Sequence, residues 1–185
     1  MGKQLRTLIV EDSENDALLL VGELVRGGYD VESERVDTQG AMAIALDGRE
    51  WDIVLSDYVM PQFSGLAALK LLQEKGYDLP FIIVSGKIGE DVAVDAMKAG
   101  AHDYIMKDRL SRLLPAIGRE LEEAEARREK KRAEQELRQR VDELERFRRA
   151  TIQREFSMKG MKERLKALER ELDALRGEDK KRMTA

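Results

Sequence analysis

An α/β fold on a five-stranded parallel sheet is predicted by three observations. Short apolar runs alternate with amphipathic stretches through residues 1–110. Turn residues, Gly27-Gly28 and Gly100 among them, stop the amphipathic stretches. The strand-like runs are rich in β-branched and aromatic side chains, the pattern of successive strand–helix units.

The first strand is predicted at 5–10, Leu-Arg-Thr-Leu-Ile-Val, followed by helical spacing over Asp16–Arg26. A second strand is expected at 29–36 and a helix over Thr38–Leu46. The third strand, at 53–57, is a continuous apolar run ending in Asp57. The turn signal Met60-Pro61-Gln62-Phe63-Ser64-Gly65 comes next, and a helix over Ser64–Lys75 follows. Strands at 80–85 and 103–106 enclose a helix over Glu90–Ala99. A fifth helix is expected to begin near Arg109 and to run to a stop at Gly177.

Charge divides the chain. Residues 1–110 carry 11 Lys/Arg against 20 Asp/Glu, net −9; residues 111–185 carry 22 against 17, net +5, which together give −4. The second part is mostly Arg, Glu, Lys, Leu and Ala, a long-helix composition. Without cysteine the chain forms neither disulfides nor thiolate metal sites. With no apolar leader core and no run near the ~20 residues of a membrane span, a soluble, cytoplasmic protein is expected.

A heptad seam runs through Leu137, Arg140, Leu144, Phe147, Thr151, Arg154, Met158, Met161, Leu165, Leu168, Leu172 and Leu175. Leu114, Ile117, Leu121 and Ala124 form an earlier seam in a different register, so a phase break is expected within 125–136. An unbroken helix from about 109 to 176 would be about 100 Å long. Self-association through 137–175, as a parallel homodimer, is expected because an isolated polar helix is marginal in water. The basic clusters Arg127-Arg128, Lys130-Lys131-Arg132 and Arg146-Phe147-Arg148-Arg149 are interleaved with acids. A solvated, charge-laced helix face therefore accounts for them better than nucleic-acid contact.

Strand ends carry the chemistry. Glu11 and Asp12 follow the first strand and Asp57 ends the third, so three carboxylates converge on one rim, which calls for a counter-cation such as Mg²⁺. Ser85 ends the fourth strand and Lys107 follows the fifth, each able to hold an oxyanion. His102, the only histidine, is expected at the surface or facing a partner.

In this order and at these strand ends, Glu11-Asp12, Asp57 with Met60-Pro61 and Gly65, Ser85, Tyr104 and Lys107 resemble the CheY-like receiver domain of two-component response regulators, over about residues 5–120. The resemblance implies a flavodoxin-like doubly wound sheet over 1–122, continuing into a coiled-coil helix at 123–176 and a flexible tail at 177–185. Asp57 would be the phosphoacceptor, served by a phosphohistidine of a sensor kinase. Asp12, Asp57 and the main-chain carbonyl of Val59 would bind Mg²⁺ directly, with Glu11 acting through water. Ser85 and Lys107 would hold the phosphoryl group, and Ser85 with Tyr104 would form the switch pair. The family has proline after the rim lysine, in a cis peptide; Asp108 stands here, so a trans peptide or an altered turn is expected.

No metabolite would be turned over, and output would be protein–protein contact with a downstream protein. A second possibility is an adaptor that pairs with a sensor kinase, since Glu143–Ala150 looks like the linkers that precede kinase dimerisation helices.

Overall fold

The computed structural model describes residues 2–86 and 90–183, with side-chain surroundings for all of these except 90–91, 150, 155–156, 169 and 171–183. The order is β1 (Lys3–Val10), α1 (Glu14–Arg26), β2 (Tyr29–Val36), α2 (Gln39–Gly48), β3 (Ile53–Ser56), α3 (Gly65–Glu74), β4 (Phe81–Ser85), α4 (Glu90–Ala99), β5 (Asp103–Met106), a 3₁₀ turn (Lys107–Arg112) and α5 (Leu113–Met183). All strand pairings are parallel, in the order β2-β1-β3-β4-β5.

Burial explains the strand sequences. Every residue of β3 and β4 is buried, so both read as unbroken apolar runs. The edge strand β2 keeps Asp30, Glu32, Ser33, Glu34 and Arg35 exposed, charges that discourage edge-to-edge pairing. One face of the sheet packs Leu8, Val54, Phe81 and Ile83 with Met42, Leu46, Leu69 and Leu72 of α2 and α3. The other packs Leu5, Ile9, Leu55 and Val84 with Leu20 and Leu24 of α1 and Leu113 and Ile117 of α5. Ser13, Thr38 and Ser64 cap α1, α2 and α3, each hydroxyl accepting a backbone N–H of the first turn.

The start of α5 differs from the expectation of a helix from about Arg109. Arg109 has φ −127° and ψ 43°, outside the helical region, so the chain passes through the 3₁₀ turn first. Pro115 then falls in the first turn of α5, where its missing N–H is tolerated. The early seam is turned inward on this chain: Ile117 is buried in the sheet core, Leu114 and Leu121 pack partly buried against that core, and Ala124 is buried.

Two compact units are present, residues 1–129 and 130–185. The first runs past the expected boundary at 122 because Arg127 pairs with Asp78 at 3.4 Å and Arg128 donates to the Asp78 carbonyl at 3.3 Å. Its end lies inside the stretch 125–136 where the two seams lose register. In the second unit, Leu137, Leu144, Phe147, Met158, Met161, Leu165 and Leu168 are 51–72% exposed on this single chain. Leu172 and Leu175 lie outside the described side chains. Helical backbone continues through Gly177 to Met183, so Gly177 is not a stop. A lone glycine costs a helix only about 1 kcal/mol, and Glu178 and Lys180 are good helix formers. Among the described residues no helix is long and apolar enough to cross a membrane.

His102 is half-buried rather than at the surface. Its Nδ1 accepts the Phe81 N–H at 3.1 Å, its own backbone N–H donates to the Phe81 carbonyl at 2.9 Å, and Nε2 lies 3.4 Å from an Arg127 guanidinium nitrogen. Burial first, then Arg127, hold the imidazole below its ordinary 6.5 against the opposing acids Glu120, Asp78 and Glu123. The fold thus favours neutral His102, a contribution complete above about pH 6.5 and lost as pH falls through the lower folded value. In melting curves taken from about pH 7 to about pH 5, the wild type should lose more stability than His102→Gln. Parallel curves would show that the ring's protonation does not matter.

Candidate functional site

The strand order reverses between β1 and β3: β1 connects to β2 on one side, and β3 lies on the other, the arrangement that opens a crevice at strand carboxyl ends. Val10 pairs with Ser56 in register, so Glu11 and Asp57 leave neighbouring strands side by side. Backbone bonds hold them there: Asp57 N–H donates to the Val10 carbonyl at 2.8 Å and Glu11 N–H to the Val36 carbonyl at 2.9 Å. Arg35 donates to the Glu11 carbonyl at 2.9 Å, bracing the loop after β1.

Carboxylate oxygens of Glu11, Asp12 and Asp57 lie within 4.8 Å of one another. Opposite ligands of an octahedral Mg²⁺ are about 4.1 Å apart, so this all-oxygen set could hold one ion with side-chain shifts of under about 1 Å, and the exposure of Asp12 leaves room for the waters Mg²⁺ retains. A polar depression of about 110 Å³ opens beside it, lined by Asp12, Asp37, Thr38, Pro61 and Gln62. Val59 N–H donates to Asp57 Oδ1 at 3.3 Å, placing the backbone of residue 59 against the same carboxylate.

Lys107 completes the cluster, its Nζ donating to Glu11 Oε2 at 2.8 Å, Asp57 Oδ2 at 3.1 Å and Asp16 Oδ2 at 2.5 Å. Burial opposes its charge, but hydrogen bonds to these three carboxylates outweigh that and hold the ammonium above its ordinary range. Glu11, 1% exposed, is pushed up from the usual carboxylate value by burial, against the pull of Lys107 and the Ser13 N–H. The Lys107–Asp108 peptide is trans, followed by the 3₁₀ turn, as the missing proline implied. Ser85 is buried at the end of β4, paired in register with Met106, and Tyr104 is partly buried against the core cluster that includes Phe81, Ile83 and Ala96.

Glu11, Asp12, Asp57, Ser85 and Lys107 all lie at strand carboxyl ends, and Tyr104 lies within β5, the strand predicted at 103–106. Asp16 was not foreseen. It stands in the first turn of α1, where an acid is already explained by the helix N-terminus, so the sequence carries no signal of its contact with Lys107.

Gly65 is required by the same loop. Its N–H donates to the Tyr58 carbonyl at 3.1 Å, and a Cβ there would lie 2.4 Å from the Asp57 carbonyl oxygen and 3.1 Å from Tyr58 Cα. Neither backbone atom can swing aside. Gly65→Ala should cost about 1–3 kcal/mol and weaken Mg²⁺ binding, as measured by thermal melting and metal titration. An unchanged melting point would show that the loop yields.

Residues 7–117 match the response regulator receiver domain family. The chain belongs to that family. It is 31% identical over 118 residues to the chemotaxis protein CheY of Bacillus subtilis, a match covering 63% of this chain and 97% of that protein. It is 34% identical over 103 residues to the transcriptional regulatory protein DltR of Streptococcus agalactiae, covering 56% of this chain and 45% of that one. The chain thus spans nearly all of CheY and under half of DltR. Among solved structures, NtrX from Brucella abortus superimposes with a TM-score of 0.61 at 27% identity, over 70% of this chain and 29% of that one. The signal receiver domain of a LuxO repressor protein from Vibrio parahaemolyticus does so with a TM-score of 0.58 at 25% identity, over 67% of this chain and 95% of that one. This protein is thus a receiver of a two-component response regulator, a class phosphorylated by sensor histidine kinases.

Proposed function

We propose that Asp57 accepts a phosphoryl group from a phosphohistidine of a sensor kinase, and that the output is protein contact through a homodimer formed by 137–175. The observation that supports the acceptor reading is Asp57 itself, within 4.8 Å of Glu11 and Asp12 oxygens and within 3.1 Å of the Lys107 ammonium. In the transfer an Asp57 oxygen bonds to phosphorus, the phosphorus–nitrogen bond to histidine breaks, and the imidazole nitrogen keeps the electron pair and gains a proton. Lys107 and Ser85 would hold phosphoryl oxygens, with Tyr104 coupled to Ser85 as the switch. Asp12, Asp57 and the Val59 carbonyl would hold Mg²⁺ directly and Glu11 through water; when bound, the ion neutralises charge on the transferring oxygens. Phosphorylation adds charge without turning over any metabolite, so the protein is a cytoplasmic switch rather than an enzyme.

The apolar stripe of the second unit, over half exposed at seven seam positions on this single chain, supports association with a second copy. Light scattering with and without beryllofluoride and Mg²⁺ tests both parts. A dimer in isolation is expected, with an assembly state or stability that changes when the phosphoryl mimic binds. A monomer under all conditions would remove the dimeric output, and a monomer that pairs only with a kinase would replace it with the adaptor reading.

A further inference from the structure

The three N–H donors of Lys107 meet three carboxylates, and those carboxylates fall into two kinds. Glu11 and Asp57 belong with Asp12 to the cluster that fits one divalent cation; Asp16, which also binds Lys107, is not part of it. A cation at that cluster therefore competes with the ammonium at Asp57 directly and at Glu11 through water, but not at Asp16. Two positive charges about 4 Å apart repel each other even near a protein surface, which weakens the hold on a lysine whose only partners are carboxylates that a cation also engages.

Asp16 is well placed to resist that. It lies on α1, and its own backbone N–H donates to the cap hydroxyl of Ser13 at 3.3 Å, so the helix start fixes its position. Lys107, by contrast, begins a 3₁₀ turn, and its stem passes the small Gly86, whose absent Cβ would stand 3.8 Å from Lys107 Cδ. Three carboxylates at the tip of the stem, Asp16 among them, set where the ammonium rests. The Asp16 side chain is 37% exposed and that of Lys107 21%, so the contact sits at the mouth of the site.

We propose that Asp16 is a positioning residue for phosphoryl transfer, holding the Lys107 ammonium beside Asp57 while a divalent cation is bound at the Glu11, Asp12 and Asp57 carboxylates. The proposal rests on Asp57 being the phosphoacceptor.

The test uses the full chain with ¹⁵N-labelled lysine, the Lys107 ammonium resonance being assigned by its loss in Lys107→Ala. In the wild type that resonance should persist without metal and in saturating Mg²⁺; in Asp16→Asn it should persist without metal and vanish on adding Mg²⁺. Labelling of Asp57 by a small acyl phosphate should slow roughly tenfold in Asp16→Asn and should be indifferent to Asp16→Asn when Lys107→Ala is already present. Loss of the wild-type resonance in Mg²⁺, its survival in Asp16→Asn, or an equal slowing in both backgrounds overturns the proposal. A wild type that shows the expected resonances but takes no phosphate instead sinks the acceptor reading and leaves the anchoring of Lys107 standing.

Discussion

Asp57→Asn should lower Mg²⁺-dependent phosphate incorporation at least about 100-fold, because an amide oxygen cannot serve as the nucleophile that an ionised carboxylate is. The fold should survive. Asn keeps the size of Asp, and the β3 register and the bond from residue 57 N–H to the Val10 carbonyl are backbone features. Lys107 would retain Glu11 and Asp16. Removing the charge also relieves Glu11, which Asp57 pushes further up in addition to burial, so the metal-free variant should melt at or slightly above the wild type. Mg²⁺ should then separate the two. A ligand at ten times its Kd stabilises by about 1.4 kcal/mol, and the wild type should gain this while the variant gains little. Phosphate labelling and melting with and without Mg²⁺ are the measurements. Wild-type labelling of the variant would move the acceptor to another residue.

The second large effect concerns assembly. Leu165→Asp should convert the expected dimer to monomer. Leu165 is 60% exposed on the single chain, and burying it in each of two copies contributes about 1.5–3 kcal/mol per copy. Aspartate loses that contribution and adds two like charges at the seam. A loss of about 4 kcal/mol corresponds to roughly a thousandfold in Kd, enough to dissociate a micromolar-range dimer at ordinary concentrations. Glu163→Gln, on the outward face of the same turns, should leave the mass unchanged. Light scattering reads both, and a Leu165→Asp protein that stays dimeric would place the interface elsewhere. Since Leu165 belongs to the second compact unit, the first unit should keep its melting transition.

How much of this was legible depends on what each residue's neighbours are. The strands β3 and β4 could be read directly because burial on both faces leaves only apolar residues. The rim acids could be read because they recur at successive strand ends together with Ser85 and Lys107; singly, an acid after a strand is more often a turn or cap residue. Asp16 could not, since an acid in the first turn of a helix is already explained by the helix dipole. Its partner is 91 residues away in sequence. His102 is held inward for a similar reason: its partners are Phe81 of β4 and Arg127 of α5, 21 and 25 residues away in sequence. The boundary near 122 missed the ties of Arg127 and Arg128 to Asp78, which only become visible once α5 has packed.

Sequence by itself determined the alternation of strands and helices, the five rim groups Glu11, Asp12, Asp57, Ser85 and Lys107, and the change of composition near residue 110, because hydrophobic periodicity and turn chemistry are local properties of the chain. Only the tertiary structure decided which carboxylates share the lysine, how far the first compact unit extends, and that His102 is held within it. Those depend on distances between residues tens of positions apart, which strand order and helix packing bring together.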